Sequence, residues 1–469
     1  MSHEDDAAGS SRDSGTGGTL KKSLNGLHLW GIAVGQVIAG DYFGWSYGWA
    51  DAGTLGFLLT TIFVAVMYTT FIFSFTELTT AVPHAGGPFA YSHRAFGPAG
   101  GFISGFATLV EFVFAPPATA LAIGTYLNVQ FPWLDPKMGA TGSYLLFMAL
   151  NISGVTIAAT FELIVTAVAV LTLLAFMGVL APAFSWGNFL AHGWAGADRF
   201  SASSLPGIAA AIPFAIWFFL AIEGTAMAAE ETKNPEKAIP RAYIAGILTL
   251  VVLAFGTMAV AGGAGDWRTL ANVNDPLPLA LGMVWDTRGA WLNTFVLLSL
   301  CGLIASLHGL IIGYSRQILA LSRAGFLPHA LARVNSRRQT PHRAIIAGGA
   351  VGILVIYADD LLPLGEDPLM AGVVTLSVFG AIVMYIASMA SLFRLRRREP
   401  ALARPFKAPL YPFFPMIALG GASVCLVMMI CNHPRIFGLF AALLAGAWLL
   451  YRVTARHGPP CSGGPHARS

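Results

Sequence analysis

GQVIAGDYFGWSYGW, residues 35–49, carries four glycines and an acid inside an apolar stretch. Asp41 stands there between Gly40 and Gly44, with Tyr42, Phe43 and Trp45 beside it. An ionisable group at bilayer depth is costly and by default functional. Irregular backbone at that depth is tolerated only where protein or a water-filled cavity covers it. The stretch therefore predicts a membrane helix that breaks around a site. A second stretch has the same character. In AIPFAIWFFLAIEGTAMAAEE, residues 211–231, Glu223 and Gly224 interrupt an otherwise apolar run.

The rest of the chain fits a membrane setting. Of its 469 residues 56% are hydrophobic and 11% charged, against roughly 25% charged in soluble domains. Stretches of the roughly 20 apolar residues needed to cross a bilayer recur about twelve times. They fall at 27–49, 55–81, 99–126, 141–159, 161–182, 206–229, 241–263, 291–320, 344–358, 369–393, 409–430 and 434–454. The expected fold is an all-α polytopic membrane protein with about twelve transmembrane helices, since only helices satisfy the backbone in such spans. The domain reading is a disordered cytosolic tail over 1–24, one transmembrane transporter domain over 25–455, and a second cytosolic tail over 456–469.

Lys and Arg set the orientation. With the N-terminus inside, 22 of the 27 fall on the cytosolic side and five outside, which places both termini in the cytosol. The net charge of +4 is thus a topology signal spread over separate loops rather than a nucleic-acid footprint. RLRRRE (394–399) reads as a cytosolic flank. Cys301, Cys425, Cys431 and Cys461 show neither metal nor disulfide spacing, so no metal site is expected. No phosphate loop, metal motif or activated nucleophile is visible. An enzyme is therefore not expected, and no cofactor is implied.

The two irregular stretches are the first and sixth spans, the same place in two sets of five. Broken helices at matching positions point to a transporter built from two inverted repeats around a midplane site. FAPPAT (114–119) in the third span has two adjacent prolines, which should kink that helix.

The loops add a resemblance. ELTTAVPHAGGPFAYSHRAFGP (77–98), AEETKNPEKAIPRA (229–242) and SRQILALSRAGFLP (315–328) resemble signatures of the amino acid–polyamine–organocation superfamily, in order after spans two, six and eight. The resemblance covers essentially the whole chain. It implies a five-plus-five inverted repeat with broken helices 1 and 6, two peripheral helices and alternating access. EFVFAPPATALAIGTYLNVQFP (111–132) and GDYFGWSYGW (40–49) resemble bacterial ethanolamine permeases within it. That implies a multi-pass protein of the bacterial inner membrane, in contact with lipid and importing a small amine.

In amino-acid carriers of this superfamily a Gly-x-Gly turn breaks the first helix, and its bare amides bind the substrate carboxylate. Here the turn reads Ala39-Gly40-Asp41-Tyr42-Phe43, with Asp41 in place of the last glycine. A second carboxylate there would be repelled in a low-dielectric cavity. This departure argues for a small cation without a carboxylate, with Asp41 as its counter-charge. The plainer reading of Asp41 is a helix cap, and both can hold. The resemblance further aligns Trp217, six residues before Glu223, with a tryptophan that lies against substrate, and gives the acid a coupling role. From chemistry alone, Glu223 beside Gly224 could pair with an amine, hold a proton or fix free amides. Trp217, Tyr42, Phe43 and Trp45 offer cation–π faces, or serve as packing. Glu111 lies mid-span in the third helix, where it must be protonated or paired. Glu77 and Glu162 lie near span ends, where snorkelling or capping explains them.

His308 could carry a coupling proton or be a hydrogen-bonded packing residue. Ser306 stands where sodium-coupled relatives place hydroxyl ligands, but its neighbour is Ala305, and one hydroxyl makes a poor sodium cage. The fifth span lacks the lysine some proton-coupled relatives use. The coupling candidates are thus Glu223, Ser306 and His308, with H+ preferred over Na+. The functional expectation is symport of ethanolamine or a similar amino alcohol. The alternative is a neutral amino acid or polyamine permease or exchanger with Asp41 structural.

Overall fold

The computed structural model describes residues 22–285, 290–335, 337–358 and 368–455. Of the predicted tails, 1–24 and 456–469, residues 1–21 and all of the second lie outside the described residues. Ser23 and Leu24 are described, and they are docked: their N–H groups donate to the Glu231 carbonyl at 2.9 and 3.0 Å, and Lys233 N–H returns a bond to the Leu24 carbonyl at 3.1 Å.

Among the described residues nine helices are long and apolar enough to cross a membrane. The broken first span, the helix Pro136–Ser153 and the shorter apolar helix His342–Ile356 bring the spans to the expected twelve. Span 1 comprises Gly26–Gly35, the single turn Ala39–Tyr42 and residues 45–52, and it ends where Gly53 takes φ 68°. Span 2 then runs to Ala81. Span 3 is Pro98–Gln130, one continuous helix that contains Pro116 and Pro117.

Span 4 is Pro136–Ser153 and span 5 Val155–Leu180. Their boundary falls several residues before the predicted one, at Gly154 with φ 147°. Local chemistry sets both ends. Pro136 opens the helix at a position where its missing donor costs nothing, the Asp135 carboxylate caps the N–H groups of Lys137 and Met138, and only glycine turns freely at positive φ. The apolar pattern runs on through this turn and does not reveal it.

Span 6 is Leu205–Ala210, Ile212–Trp217 and the 3-10 helix Ile222–Glu231. Span 7 is Pro235–Ala264, span 8 Ala290–Arg323, span 9 His342–Ile356, span 10 Leu369–Arg398, span 11 Phe413–Asn432 and span 12 Pro434–Ala455. Spans 1 and 6, the two broken helices, lead the two sets of five, and spans 11 and 12 lie outside them. Most of span 12 faces outward, with Leu439, Leu449 and Leu450 exposed, as a lipid-facing helix should be. Span 3 packs along spans 8 and 10, and span 1 against spans 5 and 7. The loop between spans 2 and 3 is not featureless: it holds the helix Pro88–Phe96, which packs on span 3.

Glu77 corrects an expectation. It does not snorkel to solvent. It is fully buried and accepts from Arg396 Nε at 2.8 Å and the Ala408 N–H at 2.7 Å, with Arg404 Nε at 3.1 Å. Those partners come from span 10 and the segment after it, which makes Glu77 a tie between span 2 and that end of the bundle.

Candidate functional site

Both broken spans open where glycine and small residues let backbone meet backbone. Span 1 leaves regular helix at 36–38 and again at Phe43–Gly44, where Gly44 has φ 95°. The exposed groups of this break are satisfied by neighbouring spans, as membrane depth requires. The Ser306 hydroxyl donates to the Gln36 carbonyl at 2.6 Å and accepts from the Ala39 N–H at 3.4 Å. Gln36 Nε2 donates to the Gly309 carbonyl at 3.0 Å. The Tyr126 hydroxyl donates to the Tyr42 carbonyl at 2.9 Å, and the Tyr42 hydroxyl to the Ala169 carbonyl at 3.0 Å.

Span 6 breaks after Trp217. Residues 218–221 form a turn that ends at Ala221 in the left-handed region, φ 80°. The ten residues of the 3-10 helix that follows exceed the three or four usual for this form, a length associated with hinges. Gly40 presses on the Trp217 carbonyl and Phe218, and Gly44 lies under the Trp217 ring. The two breaks therefore touch.

Between them lies a cavity lined by Gln36, Val37, Ala39, Ala115, Trp217, Leu220, Ala221, Ser306 and Leu310. Its volume is about 10 Å³, room for roughly one water. This is a closed conformation, and a substrate of several heavy atoms needs the walls to move apart. Trp217 is 4% exposed, and its indole N–H has no hydrogen-bond partner among the described residues. Its ring meets Phe43 edge-on at 5.5 Å.

Three sets of buried acids surround this space. Asp41 is fully buried, and neither carboxylate oxygen has a hydrogen-bond partner among the described residues. It does not cap the second half of span 1, and it is not among the residues that line the cavity.

The second set joins spans 3, 6, 10 and 2. The carboxyls of Glu111 and Glu223 are close neighbours, with the Ala221 amide near both. Glu111 has no well-aligned donor from another residue. The Tyr385 hydroxyl donates to Glu223 Oε1 at 3.3 Å and meets the Tyr68 hydroxyl at 2.5 Å.

The third set is Glu162 of span 5 and His308 of span 8, with Oε2 and Nδ1 2.6 Å apart and both side chains fully buried.

Measured against the expectations, the structure gathers Ala39, Gly40, Phe43, Trp217 and Gly224 at the contact of the two breaks. Gly224 lies against Gln36 and Phe112. Glu111 and Glu223 are a pair rather than separate groups. Trp45 is turned elsewhere: its indole donates to the Asp41 carbonyl at 3.1 Å, its ring meets Trp49 edge-on, and it is not among the residues that line the cavity. Tyr42 is anchored between span 5 and Gly302. Ser306 has a local task, closing the break in span 1.

Glu162 was misplaced by sequence reasoning, because residue 162 stands near the start of a predicted span, while the observed span 5 starts at Val155 and carries it two turns inward. Gln36, Ala221 and Tyr385 were missed. Gln36, a polar residue beside a glycine in an apolar run, was a usable signal. Tyr385 gave none.

The profile of the amino acid permease family matches residues 28–443. An uncharacterized transporter of Rhizobium meliloti (strain 1021) is 29% identical over 85% of this chain and 83% of its own length. The branched-chain amino acid permease BcaP of Bacillus subtilis (strain 168) is 26% identical over 94% of each chain. The aromatic amino acid transport protein AroP of Escherichia coli O157:H7 is 26% identical over 92% of this chain and 94% of its own.

Proposed function

Because the chain belongs to the amino acid permease family, we propose that it is a proton-coupled secondary transporter that imports ethanolamine or a similar small amino alcohol. It works by alternating access in the bacterial inner membrane, with both termini in the cytosol. The observation that carries the substrate class is Asp41. A carboxylate sits fully buried at the break of span 1 with neither oxygen partnered among the described residues, and that is stable only with a proton or a cation nearby. An ammonium group supplies such a partner, and a substrate carboxylate would be repelled. Glu111 of span 3 and Glu223 of span 6, both fully buried, add further acid. The Trp217 and Phe43 rings offer apolar and π surface for a short amine. The closed cavity must widen at the contact of Gly40 with Trp217 for such a molecule to enter, and the turn at 218–221 is placed to permit it.

A second reading is supported by the relatives, two of which are named for branched-chain and aromatic amino acids. In it the chain carries a neutral amino acid, and Asp41 is a protonated structural group. Counterflow in liposomes separates the two. Labelled ethanolamine is followed with unlabelled ethanolamine inside, and alanine, putrescine and choline serve as competitors. Competition by ethanolamine and not alanine, abolished in a folded Asp41→Asn variant, is expected. Competition by alanine, or full retention of activity in Asp41→Asn, refutes the role given to Asp41.

A further inference from the structure

The Glu162–His308 pair is not explained by substrate binding. It lies outside the cavity lining, and its acid and base come from spans 5 and 8, 146 residues apart in sequence. Each partner keeps one unsatisfied polar atom: Glu162 Oε1 and His308 Nε2 are buried with no hydrogen-bond partner among the described residues. A pair built only for cohesion would be expected to have these atoms satisfied. Glu162 Oε1 instead faces the backbone of the moving parts. A Cβ on Gly309 would stand 2.7 Å from it, and one on Gly35 nearer still. Gly35 is the last residue of the first helix of span 1. Gln36, the next residue, both binds the Gly309 carbonyl and lines the cavity. The carboxyl thus sits behind the unwound stretch of span 1, in contact with the element that must move.

We propose that Glu162 and His308 together hold the proton that drives transport, and that their protonation state is read by span 1 through Gly35 and Gln36. The inference rests on the reading of a proton-coupled permease and assigns the coupling site within it. With one proton between Oε2 and Nδ1 the pair is neutral overall, as either a carboxylic acid with imidazole or a carboxylate with imidazolium. Span 1 can then close over it without burying net charge. When the proton leaves for water, a carboxylate and a neutral imidazole remain, with a net charge of −1. A buried uncompensated charge is costly, so the deprotonated pair favours a conformation in which water reaches Glu162. Glu162 lies seven residues from the start of span 5, roughly 10 Å inward at 1.5 Å per residue. That start is at the end of the bundle assigned to the cytosol, which suits release on that side.

The surroundings allow this. Span 4 brings Asn151, whose amide donates to the His308 carbonyl at 3.3 Å, and span 5 brings Thr166, whose hydroxyl donates to the Gly31 carbonyl at 3.1 Å. The rings of Phe147 and Phe161 flank the imidazole. Span 1 brings Gln36. None of these titrates. The charged group that acts on the imidazole is Arg316, two turns along span 8, and it is already paired with Glu231 at 3.2 Å.

The test uses the full chain in liposomes, with wild type, Glu162→Gln, His308→Gln and the double variant Glu162→Leu/His308→Leu. Replacing both members of a buried pair by apolar groups usually preserves folding, so the double variant guards against a trivial loss. With one proton per substrate, an inward pH gradient of one unit is worth about tenfold accumulation. Folded variants are expected to keep ethanolamine counterflow at equal pH and to lose gradient-driven accumulation and the accompanying proton uptake. Wild-type accumulation in the double variant would overturn the proposal, and so would loss of counterflow along with accumulation.

If the wild type shows no counterflow of ethanolamine, the substrate reading has failed and the proton site is tested without it. Infrared titration of the purified chain should then show a titrating carboxyl that Glu162→Gln removes and His308→Gln shifts. Identical titrations of wild type and Glu162→Gln would refute the site.

Discussion

Gly40→Ala probes the contact on which the transport reading depends. Gly40 lies in the turn Ala39–Tyr42, where helical dihedrals suit alanine, so the added methyl brings no backbone strain. Helix propensity even favours it by about 1 kcal/mol. The obstacle is space. A Cβ would lie 2.8 Å from the Phe218 Cα and closer still to the Trp217 carbonyl oxygen, where ordinary contact begins at 3.4 Å. Spans 1 and 6 must therefore separate by about 1 Å, and both partners are backbone, which cannot rotate away as a side chain can. Overpacking of this kind costs roughly 1–3 kcal/mol. The net loss of stability should be about 0–2 kcal/mol, while the geometry at both breaks changes. Gly142→Ala is the control, because a Cβ there meets nothing within 4 Å and the residue lies inside the helix of span 4. Thermal unfolding in detergent and counterflow in liposomes provide the readouts. Gly40→Ala should unfold at a slightly lower temperature and lose most of its counterflow, and Gly142→Ala should match or exceed the wild type in both. Wild-type counterflow in Gly40→Ala would show that close approach of the two breaks is not needed for transport.

Two further predictions concern the end of the bundle where span 8 ends. Arg316 and Glu231 are buried, 2% and 1% exposed, and Arg316 Nε donates to Glu231 Oε1 at 3.2 Å. Arg316→Ala leaves Glu231 uncompensated and should cost about 3–5 kcal/mol, seen as a large fall in melting temperature. Arg316→Met with Glu231→Leu should recover most of it, and a double variant as unstable as the single one would contradict the account. In the loop between spans 2 and 3, His84 Nδ1 accepts from the Gly86 N–H at 2.8 Å, which requires a neutral ring nitrogen. Burial, assisted by Arg323 and His93 and opposed by Glu230, lowers its pKa from 6.5. Below 6.5 the unfolded chain takes up a proton that the folded loop resists, so stability should fall as pH drops from there toward the lowered value. A melting-temperature series across that window should be flatter in His84→Gln than in the wild type.

The position of the two breaks was legible from local composition. Gly40, Gly44 and Asp41, and later Glu223 and Gly224, interrupt apolar runs, and a membrane helix tolerates such interruption only around a protein-covered site. The acids were legible as a class for the same reason. Their partners were not. Glu223 meets Tyr385 at a separation of 162 residues, Glu162 meets His308 at 146, and Glu77 meets Arg396 at 319. The turn at Gly154 was missed because apolar residues flank it on both sides, and that error of a few residues was enough to place Glu162 at a helix end instead of inside one. In a soluble helix the polar face reports which side is buried. Lipid is as apolar as the protein interior, so these spans are apolar all round and their rotation about the helix axis leaves little trace in the sequence. Local chemistry thus says where the chain enters the membrane and where it cannot stay helical. Which carboxyl faces which base depends on helix rotation and packing, and only the folded bundle sets those.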